Sequence, residues 1–300
     1  MRKKSLSRLC LQLGMLLAFV QQSFAGIIVN DTIQSEILGQ AMPITVYLPK
    51  EFKQNPERHF PVLYLLHGLT DNERAWMDKG QMDRVADELI SSGEAQQMVI
   101  VMPCAGGADI RNVWNGYFNM EGWNYEDYFF NELLPSVEQK YRAGGKREQR
   151  AVAGLSMGGG GSVNYAMRHP EKFCACYAMS AWLESNSFLR ASDKRATDKF
   201  SLLVEAVDKL AAVKLLDAMS NEDLNTLRTV AWFIDCGDDD FLLEQSETLH
   251  MKMRHLRIPA QFRVRNGDHN WEYWHNALRL CLPYVSRQFR EANHISRRNS

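Results

Sequence analysis

The sequence predicts an α/β protein in which a mainly parallel central sheet is covered by helices on both faces. Short apolar runs recur along the chain, and longer segments with helical spacing of apolar residues separate them. Fully apolar strands alternating with helices are typical of parallel sheets that are buried on both faces. The composition, 45% hydrophobic and 24% charged over 300 residues, excludes a disordered chain and a disulfide-dense miniprotein.

The first element is predicted to be a secretory signal peptide over residues 1–25. Basic residues without an acidic one open the chain, an almost wholly apolar stretch follows over residues 9–20, and small residues at Ser23 and Ala25 precede Gly26. An N-terminal membrane anchor is the alternative, but an apolar run of about 12 residues is shorter than the roughly 20 needed to span a bilayer. We therefore expect an exported protein, periplasmic or secreted.

The remaining chain, residues 26–300, is predicted to form a single domain. Removal of residues 1–25 takes away four positive charges and no negative ones, so the net charge changes from −1 to −5. This balance does not favour a nucleic-acid partner, because such partners require a basic excess. No later apolar stretch is long enough for stable insertion into a membrane. The sequence does not indicate an oligomeric state.

Residues 26–48 are predicted to form two strands around a turn near Gly39, as an antiparallel edge on the sheet. The strands expected after them are Phe60–Leu66, Met98–Met102, Arg150–Ala153, Cys174–Met179, Val230–Asp235 and Gln261–Val264. The helices expected between them lie near residues 81–92, 124–142, 157–168, 241–256 and 271–291.

Residues 183–228 interrupt this rhythm, because they are too long for one crossover between strands. The spacing of apolar residues predicts a helix over Lys199–Met219, and Ser220 with Asp223 predicts a capping box for another short helix. Such a helical insertion is either a lid over a site or an extra pair of packing helices, and the sequence leaves both open.

The strongest local motif is Gly154-Leu155-Ser156-Met157-Gly158, which stands between a predicted strand and a predicted helix. This context is the one that a nucleophile elbow requires, since the glycines relieve crowding at a sharp turn that exposes the serine. An isolated match would more often be a glycine-rich helix start. A phosphate-binding loop is not favoured, because no Lys-Ser/Thr pair follows the glycines.

A serine nucleophile needs a base and an acid, which in this fold follow it in the order acid, then histidine. His269 lies in a glycine-containing turn after the last predicted strand, and the acid is expected in the loop after Val230–Asp235. Three adjacent aspartates, residues 238–240, occupy that loop and Asp235 is close by, so the pattern alone does not select among them.

Two backbone amides are needed to stabilise an oxyanion. We assign them to Met157, directly after the nucleophile, and to Leu69, in the loop that follows the strand Phe60–Leu66.

Several blocks occur in the order found in one family: Tyr47-Leu48-Pro49, Leu65-Leu66-His67-Gly68, Ala153–Gly159, Asp235-Cys236-Gly237 and Gly267-Asp268-His269. The chain resembles the esterase D-like "putative esterase" family of α/β hydrolases, over about residues 33–289. That family includes feruloyl and acetyl esterases, tributyrin esterases, S-formylglutathione hydrolases and mycolyltransferases. The resemblance implies the α/β-hydrolase fold, with Ser156 as nucleophile, His269 as base and Asp240 as acid.

Aromatic residues near the predicted site are candidates for stacking on a sugar or ferulate ring, namely Trp114, Trp182 and Trp271. For any one of them, packing of the insertion or of a helix start is the more common role. Residues 183–228 match no pattern of the family, so they do not indicate which acyl group is bound.

These observations predict a secreted serine esterase that works through an acyl-enzyme, without metal or cofactor, and removes acetyl or feruloyl groups from an esterified oligosaccharide. Export argues against S-formylglutathione, a cytosolic substrate. The alternatives are a general short-chain acyl esterase of the tributyrin type, an acyltransferase, and a non-catalytic binding protein that retains the hydrolase fold. The intact set of serine, acid and histidine argues against the last.

Overall fold

Residues 25–185 and 198–299 are described in a computed structural model of the chain. The predicted signal peptide lies outside the described residues except for Ala25, and so do residues 186–197 of the predicted insertion. Within the described ranges, no helix combines the length and the apolarity that crossing a bilayer requires.

The strands are β1 (Ile27–Ser35), β2 (Gln40–Leu48), β3 (Val62–Leu66), β4 (Val99–Pro103), β5 (Asn119–Met120), β6 (Trp123–Asn124), β7 (Arg150–Leu155), β8 (Ala175–Met179), β9 (Ala231–Gly237) and β10 (Ala260–Arg265).

The α-helices are α1 (Glu51–Gln54), α2 (Ala75–Asp78), α3 (Met82–Ser91), α4 (Tyr125–Tyr128), α5 (Leu134–Lys140), α6 (Met157–Arg168), α7 (Lys199–Lys209), α8 (Ala212–Ala218), α9 (Asn221–Leu227), α10 (Leu243–His255) and α11 (Trp271–Asn299). A π-helical turn, Phe129–Leu133, joins α4 to α5, and a 3₁₀ turn, Arg147–Gln149, precedes β7.

Eight strands form one twisted sheet in the order β1-β2-β4-β3-β7-β8-β9-β10. The strands from β4 to β10 in this order are parallel, and β2 and β1 extend the sheet in antiparallel fashion at one edge. The predicted parallel sheet with an antiparallel N-terminal edge is therefore confirmed. β5 and β6 form a separate two-stranded hairpin that the sequence analysis did not predict.

The sheet separates two hydrophobic cores, which explains why β3 is apolar at every position. Val62, Tyr64 and Leu66 of β3 belong to one core, and Leu63 and Leu65 belong to the other. Successive side chains of a strand point to opposite faces, so a strand that is covered on both sides has no position left for a polar residue.

The prediction of a single helix over Lys199–Met219 is wrong, because the helical conformation is interrupted at Leu210 and Ala211. Ala211 has the extended conformation φ −53°, ψ 126°, so α7 and α8 are separate helices. The apolar spacing continues through the break because both helices are amphipathic, but they pack on different elements, α7 on β5 and α8 on α10. One straight helix could not contact both. The predicted capping box of Ser220 and Asp223 is present at the start of α9.

The described part of the insertion thus corresponds to packing helices. A crevice of about 320 Å³ separates α7 from the β5–β6 hairpin and reaches Arg168, at the C-terminal end of α6. Ser156 directly precedes α6, and Arg168 is the last residue of that helix. A helix of 12 residues is about 18 Å long, so the crevice lies roughly that far from the serine.

Candidate active site

Three side chains from distant parts of the sequence meet at the carboxyl edge of the sheet. The Oγ of Ser156 lies 3.0 Å from Nε2 of His269. The other ring nitrogen, Nδ1, lies 2.9 Å from Oδ2 and 3.0 Å from Oδ1 of Asp240. The carboxylate side chain is fully shielded from solvent and the imidazole is 15% exposed. At these distances the imidazole can take the proton of the hydroxyl while the carboxylate holds its opposite side.

The parallel sheet explains this convergence, because each of the three residues follows the end of a strand: β7, β9 and β10. The loops that carry Asp240 and His269 are also tied to each other. The amide of Asp238 donates to the carbonyl of Arg265 over 2.9 Å, and the Asp238 carboxylate accepts from the amide of Gly267 over 2.8 Å. Asp240 and His269 are therefore held on one connected loop pair.

Ser156 has the strained backbone of a nucleophile elbow, with φ +51° and ψ −117°. Its amide donates to the carbonyl of Met179, and its carbonyl accepts from the amide of Trp182, both over 2.9 Å. A Cβ placed on Gly154 would lie 2.4 Å from the carbonyl oxygen of Gly158. The two glycines of the motif are therefore required by the close approach of strand and helix around the serine.

The loop that carries Leu69 passes directly beside the serine. A Cβ placed on Gly68 would lie 3.6 Å from the Cβ of Ser156, and Leu69 follows as a half-buried residue. Met157 is the first residue of α6, so its N–H has no acceptor within the helix and belongs to the positive end of the helix dipole. Both predicted donor amides therefore belong to segments that adjoin the serine, and their role in stabilising an oxyanion stays a prediction.

His67 holds this loop in place through hydrogen bonds at both of its ring nitrogens. Its Nε2 accepts a hydrogen bond from the amide of Ala105 over 2.9 Å, so Nδ1 carries the proton and donates to the carbonyl of Gly68 over 2.8 Å. The hydroxyl of Tyr117 donates to the carbonyl of His67. Burial lowers the pKa of His67, although the hydrogen bond to Gly68 acts in the opposite direction. The imidazole is thus neutral and fixed in one tautomer.

Asp240 is held from behind by a short chain of hydrogen bonds. The Ser180 hydroxyl and the amide of Leu242 both donate to its carboxylate, and the indole N–H of Trp274 donates to Ser180 Oγ over 3.0 Å. Burial disfavours the charged carboxylate, but the hydrogen bonds from His269, Ser180 and Leu242 outweigh it and hold the pKa of Asp240 below its ordinary value. The Asp240 carboxylate is therefore ionised and faces the imidazole.

Two aromatic rings pack against the imidazole of His269. The Trp274 ring meets it edge-on, with centroids 4.9 Å apart and an interplanar angle of 89°. The Phe241 ring lies 4.5 Å away at 48°. Trp274 is buried and Phe241 is 64% exposed, so one ring supports the imidazole from inside and the other borders it on the solvent side.

Asp235, the other acid considered from the sequence, has a structural position. Its carboxylate is fully buried and accepts hydrogen bonds from Tyr177 (2.7 Å) and Tyr273 (2.5 Å), and it pairs with Arg265 at 2.8 Å. Arg265 precedes the loop of His269, and Tyr273 lies in the first turn of α11 just after it. The buried carboxylate therefore clamps both ends of the histidine loop.

The three tryptophans predicted to contact substrate occupy packed positions. The Trp114 ring stacks on Trp123 with centroids 5.9 Å apart. Trp182 is 4% exposed and belongs to one of the hydrophobic cores. Trp271 is half-buried and packs edge-on against Trp274. The Trp274 ring therefore stands between Trp271 and the imidazole of His269. Their contact with substrate stays a prediction.

Sequence reasoning missed Phe241 and Ser180, and it noted Trp274 only as an aromatic residue after His269, without its contacts to the imidazole and to Ser180. Phe241 carried a signal that could have been used, since a large apolar residue directly after a run of aspartates is out of place in a solvated turn. Ser180 and Trp274 carried none, because their value depends on which carboxylate and which imidazole they face.

Known proteins similar to this chain share its fold. The family model described as "Putative esterase" matches residues 35–284. A solved ferulic acid esterase is 47% identical with a TM-score of 0.86, over 89% of this chain and 100% of that one. The substrate-bound fluorophosphonate-binding serine hydrolase F of Staphylococcus aureus is 25% identical with a TM-score of 0.73, over 87% and 99% of the two chains.

A curated relative, the endo-1,4-β-xylanase/feruloyl esterase of Xylanibacter ruminicola, is 34% identical over 152 residues. The match covers 49% of this chain and 20% of that protein, so this chain spans about a fifth of its length. The family match extends over most of the chain and agrees with the fold. The chain therefore belongs to the "Putative esterase" family of α/β-hydrolase-fold esterases, as its sequence motifs predicted.

Proposed function

We propose that this protein is a secreted serine carboxylic-ester hydrolase that removes feruloyl or acetyl groups from esterified carbohydrate. The observation that carries the proposal is the hydrogen-bonded series Ser156–His269–Asp240, beside a glycine-bearing loop. Membership of the esterase family supports the reaction type.

Acylation begins when Ser156 Oγ attacks the ester carbonyl carbon and His269 Nε2 takes the hydroxyl proton. Asp240 keeps the Nδ1 proton in place and stabilises the imidazolium that forms. The amides of Met157 and Leu69 donate to the oxyanion, and each such donor is worth about 3 kcal/mol in comparable enzymes. The C–O bond then breaks, and His269 returns the proton to the leaving alcohol oxygen.

Deacylation reverses these roles with water as the nucleophile. His269 takes a proton from water as it attacks the acyl-enzyme, and then returns that proton to Ser156 Oγ when the carboxylic acid leaves. In both half-reactions His269 is the group that takes up the proton and returns it.

Two observations support the substrate class. The similar ferulic acid esterase aligns over 89% of this chain, which favours feruloyl esters. The N-terminal segment has the layout of an export signal, which favours extracellular carbohydrate over a cytosolic thioester such as S-formylglutathione.

Replacement of Ser156 by alanine tests the proposal. We expect kcat on p-nitrophenyl acetate to fall by about 10⁴-fold or more, since no nucleophile remains, and labelling by a fluorophosphonate probe to disappear. Full retained activity in Ser156→Ala would contradict the proposal. Absence of labelling in the wild-type protein would instead favour a binding protein with a hydrolase fold.

A turnover comparison across methyl ferulate, acetylated xylan and tributyrin tests the substrate class. We expect kcat/KM for methyl ferulate to exceed that for tributyrin. The reverse order would indicate a general short-chain esterase, and ester formation with an added alcohol in preference to hydrolysis would indicate an acyltransferase.

A further inference from the structure

An exposed aromatic ring at the edge of the candidate active site has no part in the scheme above. Phe241 is 64% exposed, whereas the other exposed large hydrophobic residues of the described chain are 41–45% exposed. Its ring centroid lies 4.5 Å from that of His269. Most of this ring is thus left in water, and the part that is covered faces the imidazole of the candidate site.

The neighbouring backbone keeps the ring at this edge. Asp240 Oδ1 accepts from the amide of Leu242 over 2.8 Å, and the carbonyl of Asp240 accepts from the amide of Leu243 over 2.9 Å. Leu242 is 1% exposed and fills one hydrophobic core. Phe241 stands between two anchored residues at the start of α10, so its ring is presented to solvent by a rigid segment.

The reaction itself specifies what lies near this ring. When the ester bond breaks, His269 Nε2 gives its proton to the alcohol oxygen, so that oxygen must lie within hydrogen-bond distance of Nε2. The acyl group stays bonded to Ser156. A ring packed on the same imidazole is therefore placed beside the departing alcohol.

We propose that Phe241 is the stacking platform for the sugar ring of the leaving alcohol, an inference that rests on the proposed esterase function. A sugar ring presents a face of C–H groups that packs on an aromatic ring, while its hydroxyls need polar partners. Exposed polar side chains flank two of the residues that the scheme uses: Asp239 precedes Asp240, and Asp268 and Asn270 stand on either side of His269. An apolar face bordered by polar groups matches a sugar better than a simple alkyl alcohol.

The test uses two substrates that share the feruloyl group and differ in the alcohol: methyl ferulate and a feruloylated arabino-oligosaccharide. The quantity measured is the ratio of kcat/KM for the sugar ester to that for the methyl ester. We expect Phe241→Ala to lower this ratio about tenfold, through a higher KM for the sugar ester, because stacking is present in the ground state as well as the transition state. Phe241→Tyr keeps the ring and should keep the ratio.

Met251→Ala is the matched control, since Met251 is a 45% exposed apolar residue on α10 and has no part in the site. Its ratio should equal that of the wild type. As a second measurement, binding of the feruloylated oligosaccharide to Ser156→Ala should weaken about tenfold when Phe241→Ala is added.

An unchanged ratio in Phe241→Ala would overturn the stacking proposal, and so would an equal loss on both esters. These outcomes are separate from failure of the esterase function itself, which would show as retained activity in Ser156→Ala.

Discussion

Ser180 holds the carboxylate of Asp240 on the side away from the histidine. It is fully buried, its backbone has the strained value φ +46°, and its amide donates to the carbonyl of Asp235 over 2.8 Å. Its hydroxyl oxygen accepts a hydrogen bond from the indole N–H of Trp274. The hydroxyl proton is therefore available to donate to Asp240. A non-glycine residue in this conformation costs conformational free energy. The hydrogen bond from Ser180 to Asp240 is what this strained position makes possible.

Replacement of Ser180 by alanine should lower kcat about fivefold with little change in KM. The loss of one hydrogen bond to a buried charge leaves Asp240 less well oriented and weakens its support of the imidazolium, which forms only during the reaction. Steady-state kinetics on methyl ferulate would measure this. A rise in KM with unchanged kcat would instead mean that Ser180 shapes the substrate pocket.

The same hydrogen-bond chain predicts a smaller effect for Trp274→Phe, which keeps an aromatic ring against His269 and removes the N–H that orients Ser180. A kcat between those of the wild type and Ser180→Ala would support the chain of contacts, and a kcat below that of Ser180→Ala would contradict it.

At the scale of elements, the start of α6 is built from glycines because three segments approach it closely. A Cβ on Gly158 would lie 2.5 Å from the carbonyl oxygen of His67, and one on Gly160 would lie 2.0 Å from that of Trp182. Contacts below 3 Å require the backbone to move. The glycine run therefore lets the helix carry its N-terminal amides up to the loop of Leu69.

The loop after β3 is the element whose stability should depend on pH. Folding holds His67 neutral with a lowered pKa, whereas in the unfolded chain the imidazole takes up a proton below about pH 6.5. The stabilising contribution is thus complete above that pH and declines as the pH falls below it, because the unfolded state binds the extra proton.

Urea unfolding of the wild type and of His67→Gln, at about pH 7.5 and about pH 5.5, would measure this dependence. The free energy of unfolding of the wild type should fall by up to about 1.4 kcal/mol more than that of the variant over this interval. An equal fall in both proteins would show that His67 does not titrate differently in the two states.

At the scale of the whole molecule, the N-terminal edge is joined to the body of the domain at Asp87 of α3. Its Oδ1 accepts from the amide of Gly26 and from the hydroxyl of Tyr47, both over 2.7 Å. The proposed cleavage after Ala25 would turn that amide into an ammonium group. Processing would then add a charge pair between the new terminus and the helix.

We expect Asp87→Asn to destabilise a chain that begins at Gly26 by about 1 kcal/mol more than a chain that keeps a short extension before it. Thermal or urea unfolding of the four proteins gives this difference, and the intact mass of the exported protein gives its first residue. A mature form that begins at another residue would contradict the cleavage site, and equal losses in both backgrounds would contradict the charge pair.

Most of the architecture could be predicted because it depends on local patterns of apolar residues and glycines along the chain. The apolar runs gave the central strands to within a few residues, and the glycine spacing around Ser156 gave the elbow. The break at Leu210–Ala211 could not be predicted, since the apolar spacing runs through it and the change of direction comes from what each helix packs on. The β5–β6 hairpin was missed because strands of two residues leave no periodic signal.

The sequence by itself determined the fold class, the elbow and the chain order of serine, acid and histidine, since these depend on neighbours along the chain. The tertiary structure decided that Asp240 and not Asp238 or Asp239 faces His269 Nδ1, and that Phe241 and Trp274 border the imidazole. The reason is physical: strand register and loop hydrogen bonds between β9 and β10 set the direction of each side chain. A one-residue shift in either loop would present a different carboxylate.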